Sequence, residues 1–375
     1  MNVTSYFHPI RTYLPCTGVG RHINQILLGL TKEQSIQLEL FFSQQWLQDD
    51  GKLDPRCPLR DLPKRTFPSL ENPTERTWKL FGYPNIDRYI SDDTDWVYAP
   101  VETYLPISKC PVGITIHDIQ AFETTLPWSN TWRNRWFRYK WGRWVRRALA
   151  DCRVVFTVSE FSKRRMIDLL GADSKKLVVV GNGVDQSFFD IASVNPVDLE
   201  RPVEQPYILV IGGLRYKKGG EHILSVARSL HQRKSDLQIV VAGELEADYT
   251  EAIQAHPNIT LLGMVPDEEL PRLVRSATSL LFLSPYEGFG IPALEAMAAG
   301  IPAVVANRAS LPEVVGDAGI IVDPDQASYI TDILVNLETD SHLRQDYGAR
   351  GQKHAAQYTW STCVDRVIAA LHQFA

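Results

Sequence analysis

Short apolar runs, rich in β-branched residues, alternate with longer stretches of helical periodicity through most of the chain. "VGITIHD" (112–118), "VVFTVS" (154–159) and "KLVVVGNGV" (176–184) read as buried strands, each beside a helix-like segment. The later half repeats the rhythm in "YILVIGGL" (207–214), "LQIVVAGE" (237–244), "ITLLGMV" (259–265), "SLLFLSP" (279–285) and "IPAVVAN" (301–307). Near-continuous apolar strands alternating with helices predict parallel sheets covered on both faces. Between the two sets lies "ASVNPVDLERPVEQP" (192–206), polar and proline-rich, with the character of an interdomain linker. The expectation is an α/β protein of two doubly wound, Rossmann-like domains facing across a cleft. Residues 1–195 are expected to form the first and 196–355 the second, and 356–375 reads as a final amphipathic helix, which in folds of this class commonly crosses back to the first domain. Residues 44–95, rich in Pro and Asp with weak periodicity, yield no ordered pattern.

In open α/β sheets ligands sit beyond the carboxyl ends of the strands, at helix N-termini. "SPYEGFGIPALEAMAAG" (284–300) is such a junction. A strand ends before it, Pro292 falls in the first turn of a helix, and Gly300 stops that helix. Backbone N–H groups at a helix start are unsatisfied and suit a phosphate. Two carboxylates, Glu287 and Glu295, flank the Gly288–Phe289–Gly290 turn, and a carboxylate accepts two hydrogen bonds from a vicinal diol well. A phosphate with diol readers on either side describes a nucleotide sugar. On spacing alone, Glu287 answering the helix dipole and Glu295 as an exposed helical residue explain the pattern equally well.

The segment E-G-F-G-I-P-A-L-E resembles the E-x7-E element of retaining GT-B glycosyltransferases, the large "group 1" family that contains many bacterial mannosyl- and glucosyltransferases. The resemblance extends over nearly the whole chain. It implies a GT-B fold in which Glu287 contacts donor-sugar hydroxyls, Glu295 binds the ribose, and the amides of residues 288–290 hold the diphosphate. "TGVGRHINQILLGL" (17–30) resembles the family's TGIGR-type loop, which implies that the amides at Gly18 and Gly20 approach the donor. "ITIHDIQ" resembles the HD element, implying that His117 supports the sugar in the transition state and that Asp118 assists. "IGGLRYKKGG" (211–220) resembles the basic phosphate loop, with Lys218 at the position that neutralises the leaving diphosphate. The family's usual arginine is replaced here by Gly213, a donor-loop position, and Lys217, in preference to Arg215, is the expected second cation. "GMVPDEEL" (263–270) resembles the element near the nucleotide base, while "VSEFSKRRMIDLL" (158–170), with Ser159 as N-cap, and "GNGVD" (181–185) fit scaffold as well as function.

Composition narrows the partners. A formal charge of −5 gives no electrostatic reason to expect nucleic acid. Cys16, Cys57, Cys110, Cys152 and Cys363 are scattered and odd in number, without a CxxC pair, which argues against a disulfide framework or zinc and for a cytoplasmic setting. No secretory pattern opens the sequence, and no apolar run approaches the roughly 20 residues of a membrane span. The resemblance implies chemistry without an obligatory metal or cofactor, and the DxD-like run "SDDTD" (91–95) lies in an irregular stretch. The stretch 127–150 interleaves Trp128, Trp132, Trp136, Trp141 and Trp144 with seven Arg or Lys. It reads either as a basic amphipathic helix touching the inner face of a membrane or a lipid-linked acceptor, or as tryptophans packing the core under an arginine rim.

The function expected is retaining hexosyl transfer, with GDP-mannose the leading donor and UDP-glucose its rival, to a glycan, lipid-linked or small-molecule acceptor. A sugar-nucleotide-binding protein without transfer activity is the alternative. A dinucleotide oxidoreductase lacks its GxGxxG with a following acid.

Overall fold

A computed structural model describes residues 1–13, 17–68, 77–78, 81–83 and 85–375. Cys16 and parts of 44–95 lie outside the described residues. The chain divides into two compact units, Met1–Asn182 with Trp360–Ala375, and Gly183–Thr359.

The first unit is built on a seven-stranded parallel sheet. Its strands are β1 (Asn2–Tyr6), β2 (Gln37–Ser43), β3 (Lys64–Phe67), β4 (Trp96–Ala99), β5 (Val112–Ile116), β6 (Val154–Thr157) and β7 (Leu177–Val179), in the order β3-β2-β1-β4-β5-β6-β7. The central strands β4, β5 and β6 are buried at every position, as strands covered on both faces must be. The sequence pattern located β5, β6 and β7. It gave no expectation at β2 or β4, and β3 falls within the stretch it left unordered. The helix Trp360–Gln373 completes one face of this unit. Its Cys363, Val364, Val367, Ala370 and Leu371 share a core cluster with Ile23, Ile26, Leu27 and Leu30 of the helix Gly18–Leu30.

The second unit carries a six-stranded parallel sheet. Its strands are β8 (Tyr207–Ile211), β9 (Gln238–Ala242), β10 (Ile259–Gly263), β11 (Ser279–Phe282), β12 (Ala303–Ala306) and β13 (Ile320–Val322), in the order β10-β9-β8-β11-β12-β13. The apolar runs quoted above coincide with β8 to β12. The division between units falls at Asn182/Gly183, earlier than the 195 drawn from composition. The polar stretch after the helix Gln186–Ile191 is tied into the second unit, where the Arg275 guanidinium donates to the Val194 carbonyl (3.0 Å).

In both sheets the direction of winding reverses once, between β1 and β4 in the first unit and between β8 and β11 in the second. At such a switch point the loops leaving two neighbouring strands diverge and open a crevice. The Gly-x-Gly loop follows β1, the basic loop follows β8 and the glutamate loop follows β11, all at these switch points, whereas His117 follows β5 and "GMVPDEEL" follows β10.

Candidate functional site

In the second unit the switch point brings the basic loop after β8 beside the glutamate loop after β11. Lys218 closes a short 3₁₀ turn (Tyr216–Lys218). Its ammonium reaches back to donate to Glu287 Oε1 at 2.7 Å. The carboxylate side chain is only 15% exposed and the lysine 32%, so the pair lies at the mouth of the crevice rather than on open surface. An ammonium has three donors, so the contact with Glu287 aims the group without exhausting it. Gly290, with φ of 109°, is the N-cap of the helix Ile291–Ala298. Ser310 fixes the loop by donating to the carbonyls of Glu287 (2.9 Å) and Phe289 (2.8 Å). Ser284 donates to the Tyr286 carbonyl and to that of Lys217, tying the two loops together. The Phe289 side chain is buried and meets Tyr358 edge-on, so its backbone alone faces the loop. Glu295 is 2% exposed, which removes the reading of it as an exposed helical residue.

Gly213 has φ of 82°, and a Cβ placed there would overlap the Glu244 carbonyl oxygen. The position cannot carry the family's arginine without moving the backbone after β9. Of the two candidate replacements, Arg215 lies 3.6 Å from the Glu244 carboxylate, while Lys217 is exposed on the same turn as Lys218.

In the first unit, His117 follows β5 and is 7% exposed. Its amide donates to Glu102 Oε1 (2.9 Å) and its Nε2 lies 3.2 Å from the Pro100 carbonyl. A carbonyl only accepts, so the proton is on Nε2 and Nδ1 carries the lone pair. Burial lowers the imidazole to about 4, against a partly offsetting hydrogen bond to Pro100, and Arg11 lowers it further. At neutral pH it is therefore uncharged. Asp118 accepts from the Gln120 amide (2.9 Å) and shapes the turn that follows. Gly18 is exposed at the start of its helix, but the Gly20 amide is spent on the N-cap hydroxyl of Thr17 (3.2 Å). A Cβ at Gly20 would overlap the Arg11 carbonyl oxygen, so this glycine serves a close backbone approach. Ser159 caps the helix Glu160–Leu170 through the Ser162 amide (3.0 Å).

His22 carried no expectation. It is fully buried, its ring edge-on to His117 at 4.7 Å between centroids, with Nδ1 2.8 Å from Asn182 Oδ1. Burial, reinforced by His117, holds it at about 3, against the raising effect of Asn182. With Asn182 accepting, the proton sits on Nδ1, and Nε2 has no partner among the described residues. The available signal was a histidine in the first turns of the helix that opens the Gly-x-Gly loop.

Residues 194–354 match the family profile "Glycosyl transferases group 1", and residues 17–188 match "Glycosyltransferase Family 4". The chain is a glycosyltransferase with the GT-B fold. This glycosyltransferase is 29% identical to O-antigen chain mannosyltransferase B of Escherichia coli, over 95% of this chain and 96% of that one. It is 31% identical to the phosphatidyl-myo-inositol mannosyltransferase of Mycolicibacterium smegmatis, over 56% of this chain and 55% of that one. Among solved structures, a glycosyltransferase from Rickettsia africae superposes with a TM-score of 0.71 at 16% identity, covering 100% of this chain and 98% of that one. Anabaena HepE in complex with UDP and glucose superposes with a TM-score of 0.68 at 16% identity, covering both chains in full. At such identities the glycosyltransferase shares a fold with these two structures and nothing narrower.

Proposed function

We propose that this protein transfers a hexose from a nucleotide-diphosphate sugar with retention at the anomeric carbon, using mannose from GDP-mannose. The observation that carries the reading is the meeting of Lys218 with Glu287 at the β8/β11 switch point, beside a helix start capped by Gly290. A cation, a hydroxyl-accepting carboxylate and outward amides at one crevice match the three parts of a sugar diphosphate. On this reading Lys218, helped by Lys217, meets the charge that develops on the departing diphosphate, the role a divalent cation plays elsewhere. Glu287 orients the sugar and Glu295 takes the ribose. His117, neutral with its Nε2–H committed to Pro100, supports the oxocarbenium-like sugar through its Nδ1 lone pair rather than through a positive charge. The mannosyl assignment draws on the full-length similarity to the Escherichia coli mannosyltransferase. The acceptor class is a glycan, a lipid-linked sugar or a small molecule.

The test is thermal unfolding with GDP, UDP, ADP or NAD at equal concentration. A ligand that binds only the folded state stabilises it by about 2.7 kcal/mol at a hundredfold excess over its Kd. A shift with GDP alone supports mannosyl transfer, and a shift with UDP alone replaces it with the glucosyl reading. Absence of a shift with every nucleoside diphosphate overturns the enzyme assignment.

A further inference from the structure

The helix Trp132–Asp151 resolves the two readings of the tryptophan-rich stretch by splitting it. Its buried face is made of Gly142, Trp144, Val145, Ala148 and Leu149, with Trp141 stacked on Phe122 at 5.0 Å. The five-residue step from Trp136 to Trp141 rotates the side chain by about 140° around the axis, so the earlier tryptophans face the other way. Trp132 is 81% exposed, Trp136 54% and Tyr139 60%. With Arg143 they follow the spacing i, i+4, i+7, i+11 of a single stripe, opposite the core.

Cations line both sides of that stripe. Arg133, Arg135, Lys140, Arg143 and Arg146 are all exposed, and none forms an ion pair among the described residues. No acidic residue occurs between positions 127 and 150, although the whole chain carries −5. Lys140 lies over the Trp136 ring at 4.7 Å, and Trp136 stacks on Tyr139 at 6.0 Å. Phe81 and Tyr83, 68% and 72% exposed, add apolar surface nearby, because Gly82 between them packs against Arg147 of the same helix. Local helix energetics oppose this arrangement. Arg133 and Arg135 occupy the first turn, where the macrodipole favours acids, and no acid is there to compensate. Exposed indoles and unpaired cations at the wrong helix end are both unfavourable in water, and both are satisfied by the same environment.

We propose that the outer stripe of this helix docks onto an anionic lipid bilayer. Tryptophan and tyrosine favour the headgroup region, and arginine and lysine beside them meet lipid phosphates. The stripe lies on the convex crest of a helix, which offers a plane to rest on rather than a groove to grip a strand or a peptide. The inference concerns binding alone and stands whether or not the transfer reaction proposed above is correct.

The experiment is co-sedimentation of the full chain with vesicles of phosphatidylcholine, alone or with about one third phosphatidylglycerol, at about 0.1 M and about 0.5 M salt. The protein is expected to sediment with the anionic vesicles only, and to be released at the higher salt. Arg133→Gln with Arg135→Gln should lower the partition coefficient about 25-fold, at about fivefold per lost cation. Trp132→Ser with Trp136→Ser should lower it about tenfold or more. All four residues are exposed, so the circular dichroism and unfolding midpoint of both variants should match the parent. Parent protein that stays in the supernatant with anionic vesicles overturns the proposal, as does sedimentation that neither variant weakens. Salt-sensitive retardation of single-stranded RNA without vesicle binding would overturn it too, by assigning the surface to nucleic acid.

Discussion

Replacing Lys218 with Met removes the ammonium from a carboxylate that is 15% exposed and leaves Glu287 charged without that partner. An unsatisfied, mostly buried charged group costs about 1–3 kcal/mol, which lowers the midpoint of a domain this size by about 2–4 °C per kcal/mol. On the proposed reading the same change also withdraws the cation that meets the departing diphosphate, a loss of about 10²–10³ in kcat by analogy with other preorganised donors. The two consequences separate when Glu287→Gln is added. The double variant no longer carries the unpaired charge, so most of the lost thermal stability returns. On that reading activity should not return, because the proposed diphosphate cation and the proposed sugar-orienting carboxylate are both gone. The assays are differential scanning calorimetry and donor turnover, measured on the parent, both single variants and the double. Recovery of activity together with stability in Lys218→Met/Glu287→Gln would show that the pair only holds the loop, and would refute the catalytic assignment.

Gly213→Ala places a Cβ against the Glu244 carbonyl at a φ of 82°, and should destabilise the protein by about 1–3 kcal/mol or more, read as a lowered unfolding midpoint. Glu295→Gln preserves volume at a 2% exposed position and should mainly weaken the stabilisation conferred by the nucleotide, leaving the unliganded midpoint close to the parent's. His22 and His117, held near 3 and 4, are neutral in the folded protein but take up protons near 6.5 when unfolded. The unfolded chain therefore binds more protons below pH 6.5, so stability is fully present above it and falls as pH drops toward 4. Urea midpoints between pH 7 and 4 should follow that slope, and a His22→Gln variant should flatten it. Turnover with a chelator present should equal turnover without it if lysine takes the place of a metal.

The sheet cores were legible because parallel strands covered on both faces leave no room for polar residues, and β5, β6, β8, β9, β11 and β12 announce themselves in that way. β3 (KRTF) was not, because an edge strand is half solvated and its composition resembles loop. β13 has the same disadvantage, with Ile321 exposed on an edge of three residues. The loops of the candidate site could be found from glycines at strand ends, but their contacts could not. Spacing places Lys218 and Glu287 on different loops, 69 residues apart, and only the strand order β8-β11 makes those loops neighbours. His22 shows the opposite limit. A buried histidine on a helix has the same sequence appearance as an exposed one, and its significance rests on a ring that the fold delivers from β5. The tryptophan spacing was similarly ambiguous, because one step of five residues places half of the stripe inside and half outside.

The last helix, Trp360–Gln373, belongs to the first unit, and this sets an order on synthesis. Val364 fills the space beside Gly29, Arg366 donates to the Val180 carbonyl, and Arg153 holds the Phe374 carbonyl. A ribosome delivers the residues of the second unit before it delivers those. The second unit can close while the first still exposes the apolar face of Gly18–Leu30 to solvent and chaperones. The unit translated earliest is thus the one finished last, and a nascent chain stalled before its last helix emerges would present a folded second unit attached to a first unit with an open core.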